Sequence, residues 1–141
     1  MRALVVLLLV TVACAGSGVG LDEFGNPLGG DGGGPLAPTL ASIQARIFTP
    51  ICTQCHAGAA APLGLSLEAG ASFDNLVGVP SSEVPALLRV QAGNPDASYL
   101  VRKIEGSPDI VGDRMPLGLT PLTTEERTAI RGWIAAGAPK N

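Results

Sequence analysis

Histidine occurs once, methionine twice and cysteine three times in 141 residues, and aromatic side chains make up only 4% of the chain. A closed zinc site needs four Cys or His ligands, and no second ligand pair exists beyond Cys52, Cys55 and His56 to complete one. The long apolar run, Ala3 to Val12, is too short to cross a bilayer as a helix. Positive charge is not concentrated either. From Thr39 onward there are eight basic and nine acidic side chains, so the basic face that nucleic acid requires is missing. No convincing strand run is present, which leaves helices and loops.

The first residues have the pattern of a targeting segment. Met1-Arg2 gives a positive start, the apolar run follows, and small residues close it at Ala13, Ala15 and Gly16. Residues 1–13 are expected to be a signal peptide of lipoprotein type, because Thr11-Val12-Ala13-Cys14 resembles the lipobox of bacterial lipoproteins, with Thr11 where that family prefers Leu. Cys14 would then be acylated and anchor the chain to a membrane, several acyl chains contributing about 0.8 kcal/mol per buried methylene. Ordinary cleavage after Ala15 is the rival, since Ala13-Cys14-Ala15 is itself an A-x-A. Residues 14–38 are expected to be a tether. Nine glycines and three prolines lie between Gly16 and Pro38, a composition that buries too little apolar surface to offset its ordering entropy. One domain, 39–141, remains.

Cys52-Thr53-Gln54-Cys55-His56 is the chemically decisive stretch. C-x-x-C-H is the attachment sequence of c-type haem. Its two thiols can each add to one porphyrin vinyl group, and the adjacent histidine is the proximal ligand of the iron. A thioredoxin-like dithiol needs a strand–helix–strand setting that the sequence does not show. A plain disulfide leaves His56 unexplained. Export and haem attachment agree, because c-type haem is attached outside the cytoplasm. The domain's four aromatics, Phe48, Phe73, Tyr99 and Trp133, make a small nucleus for its size, and a flat apolar macrocycle would enlarge it.

Helix signals place this motif. Thr39 is the expected N-cap of a helix from Leu40 to about Phe48, with Leu40, Ile43 and Ile47 as its buried stripe. Pro50 interrupts it and opens a turn that carries the cysteines and His56. A short helix is expected around Glu68 to Leu76. Asn94-Pro95-Asp96 is the expected start of another that stops at Gly106. Thr123-Thr124-Glu125-Glu126 is a capping box for a last helix with Ala129, Ile130, Trp133 and Ile134 on its apolar face, ended by Gly137.

With no other histidine, the second axial ligand cannot be imidazole from this chain. Met1 is lost with the signal, which leaves Met115, 59 positions after His56, as the expected thioether ligand. An ordinary gap-filling role is the alternative. Here the chain resembles the bacterial monohaem class I cytochromes c over roughly Thr39 to Asn141. The resemblance is carried by C-x-x-C-H after an N-terminal helix, Ser98-Tyr99-Leu100, Met115-Pro116 and a closing Trp133-Ile134-Ala135-Ala136-Gly137-Ala138 helix. It implies an all-α, loop-rich bundle of three to five short helices around one covalent haem. It also implies a backbone carbonyl after the motif that accepts from the His56 Nδ1–H, with Pro62 as the candidate. Arg102, Lys103 and Arg114 are candidates to pair with haem propionates, or are solvated surface charges.

The expected function is one-electron transfer by haem c in the bacterial cell envelope. The protein would be a redox carrier, not a catalyst, exchanging electrons with protein donors and acceptors and held periplasmically or at the cell surface by lipid on Cys14. Two alternatives stand beside it. If Met115 is readily displaced, the haem binds peroxide, nitric oxide or carbon monoxide; or the domain is a structural module of a surface lipoprotein.

Overall fold

The structure is a computed structural model that describes residues 35–141. The expected signal peptide, Cys14 and most of the expected tether lie outside the described residues. The regular elements in chain order are α1 (Leu40–Ile43), a π-helical turn (Gln44–Phe48), a 3-10 turn at Cys52–Gln54 and another at Pro62–Gly64. They continue with α2 (Ser72–Leu76), α3 (Tyr99–Glu105) and α4 (Thr124–Ala135). Among the described residues every regular element is helical. The β-type pairings are isolated bridges, Val77 with Val90, Pro80 with Leu88 and Leu88 with Ser98, which tie the long connection before α3 together. No helix of the described residues is long and apolar enough to cross a membrane.

Helix α1 begins where its sequence says it should. The Thr39 side chain accepts from the Ser42 amide at 3.2 Å, satisfying one of the free donors of the first turn. Asn141 satisfies two more: its side-chain oxygen accepts from the Leu40 amide at 3.0 Å, and its carbonyl accepts from the Ala41 amide at 2.9 Å. The second half of the expected helix widens to a π turn, in which the Thr49 amide donates to the Gln44 carbonyl at 2.9 Å. Consecutive residues Ile47 and Phe48 are both buried there.

Helix α4 is the scaffold against which α1 and α3 pack. Its capping box is formed: Thr123 Oγ1 accepts from the Glu126 amide, and Glu126 Oε2 accepts from the Thr123 amide at 2.7 Å. Ala129, Ile130, Trp133 and Ile134 are buried, Trp133 and Ile134 completely. The Trp133 indole N–H donates to the Pro139 carbonyl at 2.8 Å, so its one polar atom is paired. Gly132 lets the chain approach closely, since a Cβ there would lie 3.0 Å from Pro38. Packing therefore extends N-terminally of Thr39, into residues assigned by composition to the tether. Leu36 is buried, and its amide donates to Glu125 at 2.9 Å.

Helix α3 starts four residues later than the Asn94-Pro95 signal suggests. Asn94 Oδ1 accepts from the Ala97 amide at 3.1 Å, as an N-cap does, but what it caps is a single turn closed by the Ser98 amide on the Pro95 carbonyl at 3.1 Å. The fully buried Ser98 hydroxyl secures that turn by donating to the Asn94 carbonyl at 2.8 Å and accepting from the Gln91 amide at 2.9 Å. The helix stops at Gly106 as expected, in left-handed backbone with φ 73°, its amide bonded to the Arg102 carbonyl. Helix α2 is shorter than the expected span, because Gly70 (φ 86°) lies in a turn before it.

Candidate functional site

The Cys52-Thr53-Gln54-Cys55-His56 stretch follows closely on the π turn. The Ile51 amide bonds the Ile47 carbonyl at 3.0 Å, and the amides of Cys55 and His56 both reach the Cys52 carbonyl, at 3.2 and 2.8 Å. This turn brings Cys52, Cys55 and His56 onto the wall of one cavity of about 360 Å³, and Met115 lines the same cavity from the loop between α3 and α4. Most of the remaining wall is aliphatic, from Ile51, Leu65, Leu67, Leu76, Leu100 and Ile104 among others. The size lies within the roughly 300–1,000 Å³ range of small-molecule and cofactor pockets.

The imidazole of His56 is fixed by its loop. Nδ1 lies 3.1 Å from the Leu65 carbonyl. A carbonyl only accepts, so the ring proton sits on Nδ1, and Nε2 carries the lone pair that a metal ligand must offer. The loop is closed a second time by the Leu67 amide, which donates to the His56 carbonyl at 2.8 Å. The acceptor expected at Pro62 is therefore Leu65. The Pro62 carbonyl is occupied by the Leu65 amide at 3.1 Å, within the 3-10 turn, and Pro62 itself lines the cavity.

The two cysteines are free thiols, Cys55 exposed and Cys52 largely covered. Burial, reinforced by the Glu126 charge, pushes the Cys52 thiol up to about 12. Redox-active CxxC motifs depend on a lowered thiol pKa, so this environment opposes dithiol–disulfide exchange. Among the described residues no three of His, Cys, Asp and Glu gather as a metal-ligand group. The cavity wall offers an imidazole nitrogen from His56 and a thioether from Met115 beside the two thiols.

The basic candidates separate clearly. Lys103 lines the cavity and is buried. Its ammonium donates to the Val111 carbonyl at 2.8 Å and pairs with Glu83 at 3.2 Å. Arg102 is paired with Asp109 and donates to the Asp96 carbonyl; Arg114 is exposed, its stem against Gly106. Neither lines the cavity. Arg89, which the sequence reading did not single out, does. Its guanidinium donates to the carbonyls of Asn75 (2.9 Å) and Leu63 (2.8 Å) and has no ion-pair partner among the described residues. Desolvation lowers its pKa. One signal was available: Arg89 interrupts the apolar run Leu87-Leu88-Arg89-Val90. Ser81, Ser82, Glu83 and Tyr99 add to the polar part of the wall. Burial raises the Tyr99 phenol; the Val111 amide opposes this, and Glu83 and Asp109 add to it.

Comparison of the chain with protein-family models, with curated proteins and with solved structures finds no match.

Proposed function

We propose that this chain is a one-electron carrier that binds haem c covalently through Cys52 and Cys55, with His56 and Met115 as the residues that would hold its iron. The observation that carries this reading is the convergence of these four side chains, up to 63 positions apart in sequence, on one apolar cavity. The donor chemistry fits: His56 has its proton committed to Leu65, Met115 supplies a soft sulfur, and neither cysteine is spent in a disulfide. The helical, loop-rich framework is compatible with a class I cytochrome c-like bundle.

When bound, haem c supplies a one-electron couple, and His/Met ligation places its potential above that of bis-histidine haems. The chain's own residues set the conditions for that couple. Leu65 orients the His56 ring, the aliphatic wall excludes water, and Arg89 offers a fixed positive charge to the acidic edge of the cofactor. Leu63, Leu117 and Leu119 line the cavity yet are 57%, 58% and 45% exposed. They give a redox protein partner an apolar rim to meet. His56 and Met115 would between them hold the iron, and the chemistry it would then supply is one-electron exchange, that of a carrier and not of a catalyst with its own substrate site. Export and a lipid anchor on Cys14 would place it in the bacterial cell envelope.

The test is expression alongside a haem-attachment apparatus, followed by intact mass and absorption spectroscopy. The expected product carries one covalent haem and shows a low-spin spectrum with the near-infrared band of iron–sulfur ligation. Colourless protein, or haem lost on acid–acetone extraction, overturns the proposal.

A further inference from the structure

Lys103 is the only charged residue buried among the described residues, at 8% exposure. Its pairing with Glu83 does not account for it as a stabilising device, because the desolvation of a buried pair offsets most of its attraction. What Lys103 helps to hold is one residue of the Met115 loop, Val111. Lys103 Nζ donates to the Val111 carbonyl at 2.8 Å, and the Val111 amide donates to the Tyr99 hydroxyl at 3.0 Å. Both backbone groups of Val111 are therefore gripped by side chains one turn apart on α3. Glu83 pairs with the Lys103 ammonium at 3.2 Å, and, alongside burial, its carboxylate raises the Tyr99 phenol. Four residues further on, the Met115 amide donates to the Lys103 carbonyl at 2.9 Å. No regular element lies between α3 and α4, so these bonds join the Met115 loop to the scaffold. Tyr99, Lys103, Glu83 and Met115 all line the cavity.

We propose that Tyr99, Lys103 and Glu83 are positioning residues that keep Met115 at the cavity, so that an external ligand replaces Met115 only when their grip on Val111 opens. This rests on the haem reading above. It also decides between an electron carrier and a ligand-binding haem protein: the rigidity of one loop separates the two.

The experiment uses matured holoprotein of the parent chain and of Tyr99→Phe, Lys103→Met and Arg131→Gln. Tyr99→Phe keeps the ring and removes the hydroxyl that accepts from the Val111 amide and lies under the influence of Glu83. Lys103→Met keeps an apolar stem and removes the ammonium. Arg131→Gln breaks pairs with Asp96 and Glu105 and leaves the bonds to Val111 untouched. The readout is the limiting rate at which imidazole displaces Met115 from the oxidised protein, followed by loss of the near-infrared iron–sulfur band. The loss of one hydrogen bond predicts a rate about three- to tenfold higher for Tyr99→Phe, a larger increase for Lys103→Met, and the parent rate for Arg131→Gln. Unchanged rates in Tyr99→Phe and Lys103→Met overturn the proposal, as does an equal acceleration in Arg131→Gln, which would mark general softening. If Lys103→Met gives no holoprotein, Tyr99→Phe alone decides. Failure of the underlying haem reading looks different: the parent itself lacks covalent haem or the iron–sulfur band.

Discussion

Before haem is attached, the buried thiol of Cys52 should make the folded chain sensitive to alkali. Burial moves this thiol from 9.0 to about 12, whereas in the unfolded chain it keeps its ordinary value. Below pH 9 both states hold the proton, and the group contributes nothing to pH dependence. Between pH 9 and 12 the unfolded state releases it and the folded state does not, so stability falls as pH rises. Each pH unit in that window costs about 1.4 kcal/mol, and the whole window on the order of 4 kcal/mol. Such a loss is a large part of a typical domain's stability.

The assay is urea unfolding of the reduced, haem-free chain and of Cys52→Ala at pH 8 and pH 10. Other groups titrate in that range, but they are common to both proteins and cancel in the difference. The parent should lose about 1.4 kcal/mol more than Cys52→Ala between the two pH values. Holoprotein should lack this component, because a thioether sulfur carries no proton. Identical pH dependence in parent and variant refutes the burial argument. A haem-free chain with no cooperative transition at pH 8 refutes the idea that the scaffold stands without its cofactor.

Met115→Ala in matured holoprotein should abolish the near-infrared band and allow the reduced protein to bind carbon monoxide rapidly; a retained band would remove Met115 from the iron. Arg89→Gln should lower the reduction potential, because removing a positive charge from the cavity wall favours the oxidised iron, while Arg102→Gln should leave it unchanged. Redox titration of the two checks this, and equal potentials would argue that Arg89 serves only the carbonyls of Leu63 and Asn75. Thr123→Ala should cost about 1 kcal/mol by removing the capping box of α4, measured by urea unfolding, with the visible spectrum unaltered.

What the sequence made legible was local. Cys52, Cys55, His56 and Met115 stood out because those residue types are scarce, and α4 because its capping box, apolar stripe and terminal glycine lie within fifteen consecutive residues. The acceptor for His56 escaped, because it depends on how residues 56 to 67 fold back, and the 3-10 turn at Pro62–Gly64 takes the Pro62 carbonyl for itself. The Ser98 hydroxyl binds Asn94 and Gln91, four and seven positions back, before α3 begins, a local competition that no helix-start pattern contains. The setting of Arg89, beyond its break in an apolar run, and that of Glu83 depend on partners far along the chain. Arg89 meets Leu63 across 26 positions, and Glu83 meets Lys103 across 20. Lys103 resembles a solvated helix charge until Glu83 arrives beside it.

Helices of four to twelve residues are too short to persist alone in water, so the site inherits its geometry from their mutual packing. The connectors that carry the proposed ligands His56 and Met115 are each bonded to the scaffold at the root: Ile51 to Ile47, Met115 to Lys103. Those roots neighbour core residues, with Ile47 itself fully buried and Ile104 next to Lys103. The spacing between His56 and Met115 is consequently set by the way α1 and α3 lean on α4, not by the connectors. Changes in connector side chains that leave the root bonds in place should then alter the cavity wall without moving the ligands. Loss of packing at Ile47 or Ile104 should move them without touching the wall chemistry at all.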